Sequence, residues 1–134
     1  MTTKSVHLNW NPEQQFILSD NDSLQIIMKK PKGVSAADLL PMSLIGCSAY
    51  EVVEILNKQR QGLQQLKVTA ESIQDVDPPW RFRRIHIHYQ AMGTALDLEK
   101  LRKAIQISEE KYCSVYATLR DALEITHSFE VVGS

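Results

Sequence analysis

Cysteine is scarce in this sequence, which contains only Cys47 and Cys113 among its 134 residues. Two cysteines so far apart lack the Cys-x-x-Cys spacing of zinc sites, and without a secretion signal they do not favour a permanent disulfide. Two readings remain open. The thiols are either buried and act as small hydrophobic side chains, or they form a pair that alternates between reduced and oxidised states.

Other absences narrow the class of protein. The segment from Met1 to Ser5 has no apolar core of a signal peptide, and no run approaches the roughly 18 apolar residues of a membrane span. The net charge of −1 gives no reason to expect nucleic acid or an anionic membrane as a partner. No Gly-rich phosphate loop or Ser-His-Asp motif indicates a cofactor or a hydrolase. We therefore expect a soluble, cytoplasmic protein with a single domain over residues 1–134.

The N-terminal residues alternate between apolar and polar side chains, which is typical of half-buried strands. Turn residues, among them Asp20 to Asp22, separate the alternating stretches. This pattern predicts a β-meander with strands at Val6–Trp10, Phe16–Leu18 and Leu24–Met28. A basic connecting loop, Lys29 to Gly33, follows the third strand.

A long central helix is predicted to begin near Ser35. Ser35 and Asp38 have the spacing of a capping box, in which a carboxylate three residues further on answers the serine. Apolar residues on most sides of the helix continue to Leu56, which indicates a buried helix. Pro41 should kink or interrupt the first turns, so the segment is expected as two helical pieces.

The C-terminal half reads as strands, then helices, then a strand. Phe82–Gln90 predicts a strand with an apolar face and a polar one, after an alternating stretch at Leu66–Ala70. One helix is expected from Asp97 as its cap through Ile105, another at about Tyr112–Ala122, and a final strand around Phe129–Val132. Strands and helices thus occur in blocks, which predicts an α+β fold.

The surroundings of the two cysteines differ. Cys113 stands where a helix is expected to begin, and the first amide groups of a helix favour a thiolate. Lys111 adds a positive charge beside it. Cys47 lies within an apolar helix, where burial should raise the pKa of a thiol. Local sequence alone therefore favours Cys113 as the more easily ionised thiol.

Asp38 is the acidic residue at the start of the central helix. On an ideal helix it lies half a turn out of phase with Cys47 and about 13 Å from it along the axis. Its part in the cap explains Asp38 without any catalysis.

A polar strand face and a basic cluster have simple explanations. His86 and His88 share a face at a spacing that could hold a metal, but no third ligand lies within the strand, which favours a solvated face over a metal site. The cluster Arg81–Arg84 follows Asp75 and Asp77, which predicts a solvated or ion-paired edge rather than a nucleic-acid site.

Three stretches together carry a family resemblance: Gly33 to Leu40, Ser43 to Cys47 and Lys111 to Val115. With Pro79 and the strand from Phe82, they resemble the family of osmotically induced protein C and the organic hydroperoxide resistance proteins (OsmC/Ohr). The similarity follows the same order over nearly the whole chain. It is closest to the OsmC-like branch.

The resemblance implies an intertwined homodimer with the OsmC-like fold and a thiol peroxidase site at the dimer interface. Cys47 would attack an organic hydroperoxide or hydrogen peroxide and become a sulfenic acid. Cys113 would resolve it as a disulfide, which a dithiol or thiol reductant then clears. Asp38 is the counterpart of the family's catalytic carboxylate, and the resemblance implies no cofactor and no metal. The implied role is oxidative-stress defence.

One feature departs from the family pattern. Its peroxidases stabilise the thiolate with an arginine from the N-terminal half, whereas the first arginine here is Arg60. Lys29, Lys30 or Lys32 could substitute for it, although lysine lacks the planar fork of arginine. The alternative is a non-catalytic or sensing protein that holds a small apolar or thiol ligand at the dimer interface.

Overall fold

A computed structural model describes residues 1–13, 15–28 and 34–133. The elements are β1 (His7–Asn11), β2 (Gln15–Ser19), β3 (Gln25–Met28), α1 (Ala36–Lys58), β4 (Leu63–Gln74), β5 (Phe82–Gly93), α2 (Leu98–Ile107), a π-helical turn (Ser108–Tyr112), α3 (Ser114–Leu119) and β6 (Glu124–Gly133). The predicted α+β class is confirmed. The chain forms two compact units, residues 1–40 and 41–134. The assignment of a single domain stays a prediction, and the basic loop Lys29–Gly33 lies outside the described residues.

The first unit contains the predicted β-meander. β2 pairs antiparallel with both β1 and β3, and the register places Trp10 opposite Phe16. The turn between β2 and β3 is held by Asp20, whose Oδ1 accepts hydrogen bonds from the amides of Asp22 and Leu24, each at 2.9 Å. Such an Asx turn is the reason that Asp and Asn residues marked this turn in the sequence.

Helix α1 begins directly after Ser35, whose Oγ accepts the amide of Asp38 at 3.3 Å. The expected division into two pieces is wrong, because α1 runs as one helix through Pro41. Pro41 lies near the start of the helix, so its missing N–H removes only one intrahelical bond.

One stripe of α1 is buried, and its members recur at every fourth residue: Leu44, Ser48, Val52 and Leu56. The rest of the helix is more open than the predicted buried helix, since Met42 and Tyr50 are exposed. By length and composition α1 is long and apolar enough to cross a membrane. Leu44, Val52 and Leu56 of its buried stripe belong to the hydrophobic core.

The second unit is built on the sheet β4-β5-β6, in which β5 pairs antiparallel with β4 and parallel with β6. A parallel pair needs a long crossover, which the helical segment between β5 and β6 provides. The predicted faces of β5 are confirmed, because Ile85, Ile87 and Tyr89 are buried while His86 and His88 are only half-buried. α1, β5 and α2 all contribute side chains to one core.

The C-terminal elements differ from the prediction in extent. β6 is longer than the expected Phe129–Val132 and begins at Glu124. The helix expected at about Tyr112–Ala122 is the shorter α3, and Cys113 separates it from a π-helical turn that was not predicted. Asp97 caps α2 as predicted, since its Oδ1 accepts the amide of Glu99 at 2.9 Å.

We expect Leu56→Ala to lower the free energy of unfolding by about 2–5 kcal/mol, because it removes a fully buried side chain and leaves a cavity. Leu98→Ala makes the same change at a position that is 51% exposed and should cost less than about 1 kcal/mol. Urea unfolding at one fixed protein concentration measures both. Equal losses would contradict the assigned core.

Candidate active site

Cys47 lies on α1 between the buried residues Leu44 and Ser48 and is half-buried. Its Sγ is 3.9 Å from the Oγ of Ser114, the first residue of α3. The helix therefore presents the thiol toward the start of α3, and Cys47 is only partly buried there.

Cys113 occupies the N-cap position of α3, directly after the π-helical turn. Its backbone is extended, its Sγ accepts the amide of Tyr116 at 3.4 Å, and the residue is 2% exposed. The amide of Cys113 donates to the carbonyl of Ser108 at 2.8 Å, which closes the π-helical turn. Hydrogen bonds to a residue before it and a residue after it therefore fix the position of Cys113.

The fold brings the two thiols close enough to shift each other's pKa, although they are far apart in sequence. Burial opposes ionisation of Cys47, but hydrogen bonds from the Val115 amide, the Cys113 thiol and the Ser114 hydroxyl and amide outweigh it. The pKa of Cys47 is consequently lowered. Burial raises the pKa of Cys113 to about 11, and its contact with Cys47 acts in the same direction. In this pair Cys47 is the more easily ionised thiol, and Cys113 is the thiol that stays protonated beside it.

Cys47 thus ionises more easily than Cys113, which is the reverse of what the local sequence predicted. The start of α3 does supply amide donors, but those of Ser114 and Val115 serve Cys47. Cys113 receives the Tyr116 amide, and its burial outweighs that contribution to its pKa. A helix start assists whichever anion lies in front of its N–H groups, and here that anion comes from another helix.

A group of buried polar side chains lies beside the two cysteines. Ser48 and Tyr89 share a hydrogen bond between their hydroxyl groups, and the hydroxyl of Ser108 donates to the carbonyl of Ser48 at 3.3 Å. Burial raises the pKa of Tyr89, so its phenol remains protonated. This group of hydroxyl side chains was not predicted from the sequence. Its signal was the occurrence of Ser48 and Ser108 at helical spacing from apolar core residues.

Glu109 in the π-helical turn pairs with His127 on β6. The imidazole Nδ1 lies 2.9 Å from the Glu109 carboxylate, and this hydrogen bond raises the pKa of His127. The negative charge of Glu109 also contributes to the raised pKa of Tyr89 and of Tyr116. This pair anchors the π-helical turn to the sheet.

Asp38, the predicted family carboxylate, is exposed in the first turn of α1, where its amide completes the cap with Ser35. It belongs to the first unit and the cysteines to the second. A catalytic role for Asp38 stays a prediction. The candidate cations Lys29, Lys30 and Lys32 lie outside the described residues.

The polar face of β5 hydrogen-bonds to β6. Both ring nitrogens of His86 are within 2.9 Å of hydroxyl oxygens, those of Thr126 and Ser128, and His88 Nδ1 is 2.7 Å from Ser128 Oγ. No group of three or more His, Cys, Asp or Glu residues in the described part of the chain is arranged to hold a metal ion.

The basic cluster contains the predicted ion pair. The guanidinium of Arg83 donates to both carboxylate oxygens of Asp75 at 2.9 Å. This hydrogen bond lowers the pKa of Asp75 and raises that of Arg83. Arg81 donates to the carbonyl of Ala122 at 2.8 Å, so this edge of the unit is tied by arginine side chains.

Comparison with known proteins agrees with this architecture. Protein YhfA of Escherichia coli K12 is 35% identical over 130 residues, which are 95% of this chain and 97% of YhfA. A hypothetical protein from Aquifex aeolicus VF5 has a similar structure, with a TM-score of 0.89 and 29% identity over 100% of this chain and 99% of that chain. An organic hydroperoxide resistance protein, OsmC from Legionella pneumophila, shares the fold with a TM-score of 0.69 and 15% identity over 98% of each chain. The family model described as OsmC-like protein matches residues 29–128. The chain therefore belongs to the OsmC-like protein family.

Proposed function

We propose that this protein is a thiol-dependent peroxidase that reduces organic hydroperoxides or hydrogen peroxide in oxidative-stress defence. The observation that carries the proposal is the asymmetry of the cysteine pair. Hydrogen-bond donors converge on Cys47 and lower its pKa, while Cys113 is buried beside it as a thiol. A half-exposed thiolate in contact with a second, protonated thiol is the arrangement that a two-cysteine peroxidase needs.

The reaction divides between the two residues. The Cys47 thiolate attacks one peroxide oxygen and the O–O bond breaks. The departing alkoxide takes a proton from water and becomes an alcohol; from hydrogen peroxide, hydroxide departs and becomes water. Cys47 is left as a sulfenic acid. The Cys113 sulfur then attacks Cys47, the S–O bond breaks, and hydroxide leaves as water with the proton of Cys113. An external dithiol reduces the resulting disulfide by exchange and is itself oxidised.

The hydrogen-bond donors around Cys47 could stabilise its thiolate in place of the N-terminal arginine that this sequence lacks. Two backbone amides, a hydroxyl and a thiol reach the sulfur, and hydrogen bonds to an anion stabilise it without a cationic partner. Because amide donors are weaker than a guanidinium, we expect a slower first step than in family members that use arginine. A cytoplasmic location is part of the proposal, since a reducing compartment returns both cysteines to thiols.

The first test counts thiols. Stoichiometric organic hydroperoxide should consume both free thiols of the native protein, because the sulfenic acid at Cys47 condenses with Cys113. Cys47→Ser should consume no peroxide, and Cys113→Ser should gain one oxygen at Cys47, both detected by intact-mass spectrometry. Oxygen at Cys113 in the Cys47→Ser protein would reverse the roles. If neither thiol reacts faster than free cysteine, the binding-scaffold alternative becomes the better account.

The second test measures the hydrogen bond from Cys113 to Cys47. Cys113→Ala removes the donor, while Cys113→Ser keeps an O–H there and serves as the matched control. Loss of a donor to the thiolate raises the pKa of Cys47, so its alkylation by iodoacetamide should rise with pH about half to one pH unit later in Cys113→Ala. At neutral pH this variant should therefore react more slowly. Superimposable curves would show that Cys113 does not influence Cys47.

We also propose a homodimer, as the family resemblance implies. Large hydrophobic side chains are exposed in the first unit at Leu8, Trp10 and Phe16, and on α1 at Met42 and Tyr50. A small meander with exposed apolar residues is only marginally stable by itself, and a second copy of the chain is the commonest cover for such surfaces.

Sedimentation velocity at micromolar concentration should give a single species with twice the mass of the chain. The physical reason is the exposed apolar area of the meander and of α1, which association would remove from water. A monomer under these conditions would contradict the homodimer and any site shared between two chains.

A further inference from the structure

Ser108 is a buried polar residue that connects the surroundings of the two cysteines. It is 0% exposed and begins the π-helical turn. Its hydroxyl donates to the carbonyl of Ser48, the residue after Cys47, at 3.3 Å. Its own carbonyl accepts the amide of Cys113 at 2.8 Å. Two hydrogen bonds through one residue therefore link the chain at Cys47 to the chain at Cys113.

The second of these bonds defines the local geometry. A bond from Cys113 back to Ser108 spans five residues, whereas an α-helix would pair the Cys113 amide with Glu109. The wider turn ends α2 in a π-helical segment, after which Cys113 is extended and caps α3. π-helical turns inside helical segments are frequent at functional sites. The position of the Cys113 sulfur thus depends on where the Ser108 carbonyl is held.

The first bond is not needed to complete the hydrogen bonding of the core. The carbonyl of Ser48 lies inside α1, where helical bonding already satisfies it. Ser108 is fully buried one turn after the core residues Ala104 and Ile105, and a buried hydroxyl is costly unless it is bonded. Alanine would fill the position without a polar group. Ser48 is fixed in turn by the bond of its own hydroxyl to Tyr89 on β5.

We propose that Ser108 is a positioning residue that holds Cys113 in reach of oxidised Cys47. The inference rests on the proposed peroxidase function and concerns the fate of its intermediate. The sulfenic acid at Cys47 either condenses with Cys113, which forms the S–S bond and releases water, or meets a second hydroperoxide. In the second case Cys47 gains another oxygen and becomes a sulfinic acid, and the hydroperoxide leaves as an alcohol. Ser108 favours the first outcome because it keeps the resolving sulfur in place.

The test is Ser108→Ala, which removes one buried oxygen and leaves the Ser48 carbonyl bonded within α1. Each protein is treated with increasing tert-butyl hydroperoxide, and intact-mass spectrometry measures the ratio of sulfinic acid to disulfide. We expect sulfinic acid in Ser108→Ala at about tenfold lower hydroperoxide than in the native protein, as the loss of one buried hydrogen bond would give. The first oxygen transfer, measured in Cys113→Ser with and without Ser108→Ala, should keep its rate.

Ile105→Val is the matched control for a general loosening of the core. It removes one buried methyl group one turn before Ser108 and should lower stability without changing the ratio of products. An unchanged ratio in Ser108→Ala, or an equal change in Ile105→Val, would overturn the proposal.

A second oxidant separates this inference from the proposed function. Diamide takes two electrons and two protons from a pair of thiols and leaves a disulfide, so it needs no peroxide chemistry. Closure of the Cys47–Cys113 disulfide by diamide should be several-fold slower in Ser108→Ala than in the native protein and in Ile105→Val. If the native protein ignores hydroperoxide but this difference holds, the peroxidase proposal fails and the positioning role stands. Equal closure rates overturn the positioning role.

Discussion

The close approach of the two thiols is the interaction on which the electrostatics of this site depend. It exists because α1 and the start of α3 meet in the core of the second unit, where α1, β5 and α2 also contribute their apolar side chains. Packing of this kind fixes side chains to within a fraction of an ångström, since protein interiors are as dense as organic crystals. The lowered pKa of Cys47 is therefore a property of the core as much as of the residue itself.

The same contact separates the properties of two chemically identical groups. Amide and hydroxyl groups at the start of α3 act on Cys47 and lower its pKa, whereas Cys113 is buried in the apolar interior. Neither position needs a formal positive charge. Both effects arise from where the start of α3 points. One local geometry therefore lowers the pKa of the cysteine on α1 and leaves the cysteine at the N-cap of α3 as a thiol.

Much of the fold could be predicted from the sequence because its signals are local. Alternation marked β5 and its two faces, and single residues marked the caps of α1 and α2 at Ser35 and Asp97. The π-helical turn could not be predicted, because an extra residue in a helical turn leaves the apolar periodicity almost unchanged. Pro41 was misjudged for a related reason, since a proline near a helix start costs one bond and does not end the helix.

The candidate site was predictable in its members and not in its electrostatics. The two cysteines stand out by their scarcity and by the family resemblance, whereas the donors at Cys47 come from Ser114 and Val115, which are distant in sequence. From the sequence alone, the first amides of this helix were expected to favour a thiolate at Cys113, their neighbour along the chain. Ser108 was not predicted as a site residue because its one signal, helical spacing from apolar core residues, does not indicate a role.

The parallel pairing of β5 with β6 has a consequence for the order of folding. β5 can meet β4 through a short connection, but its other edge stays open until the segment from Glu124 to Gly133 returns to it. Non-local pairing of this kind loses the entropy of loop closure before its contacts add stability, so it forms slowly. The connection that must close is the one that carries the π-helical turn and Cys113. Cys113 thus lies on the segment whose closure completes the slowest pairing of the sheet.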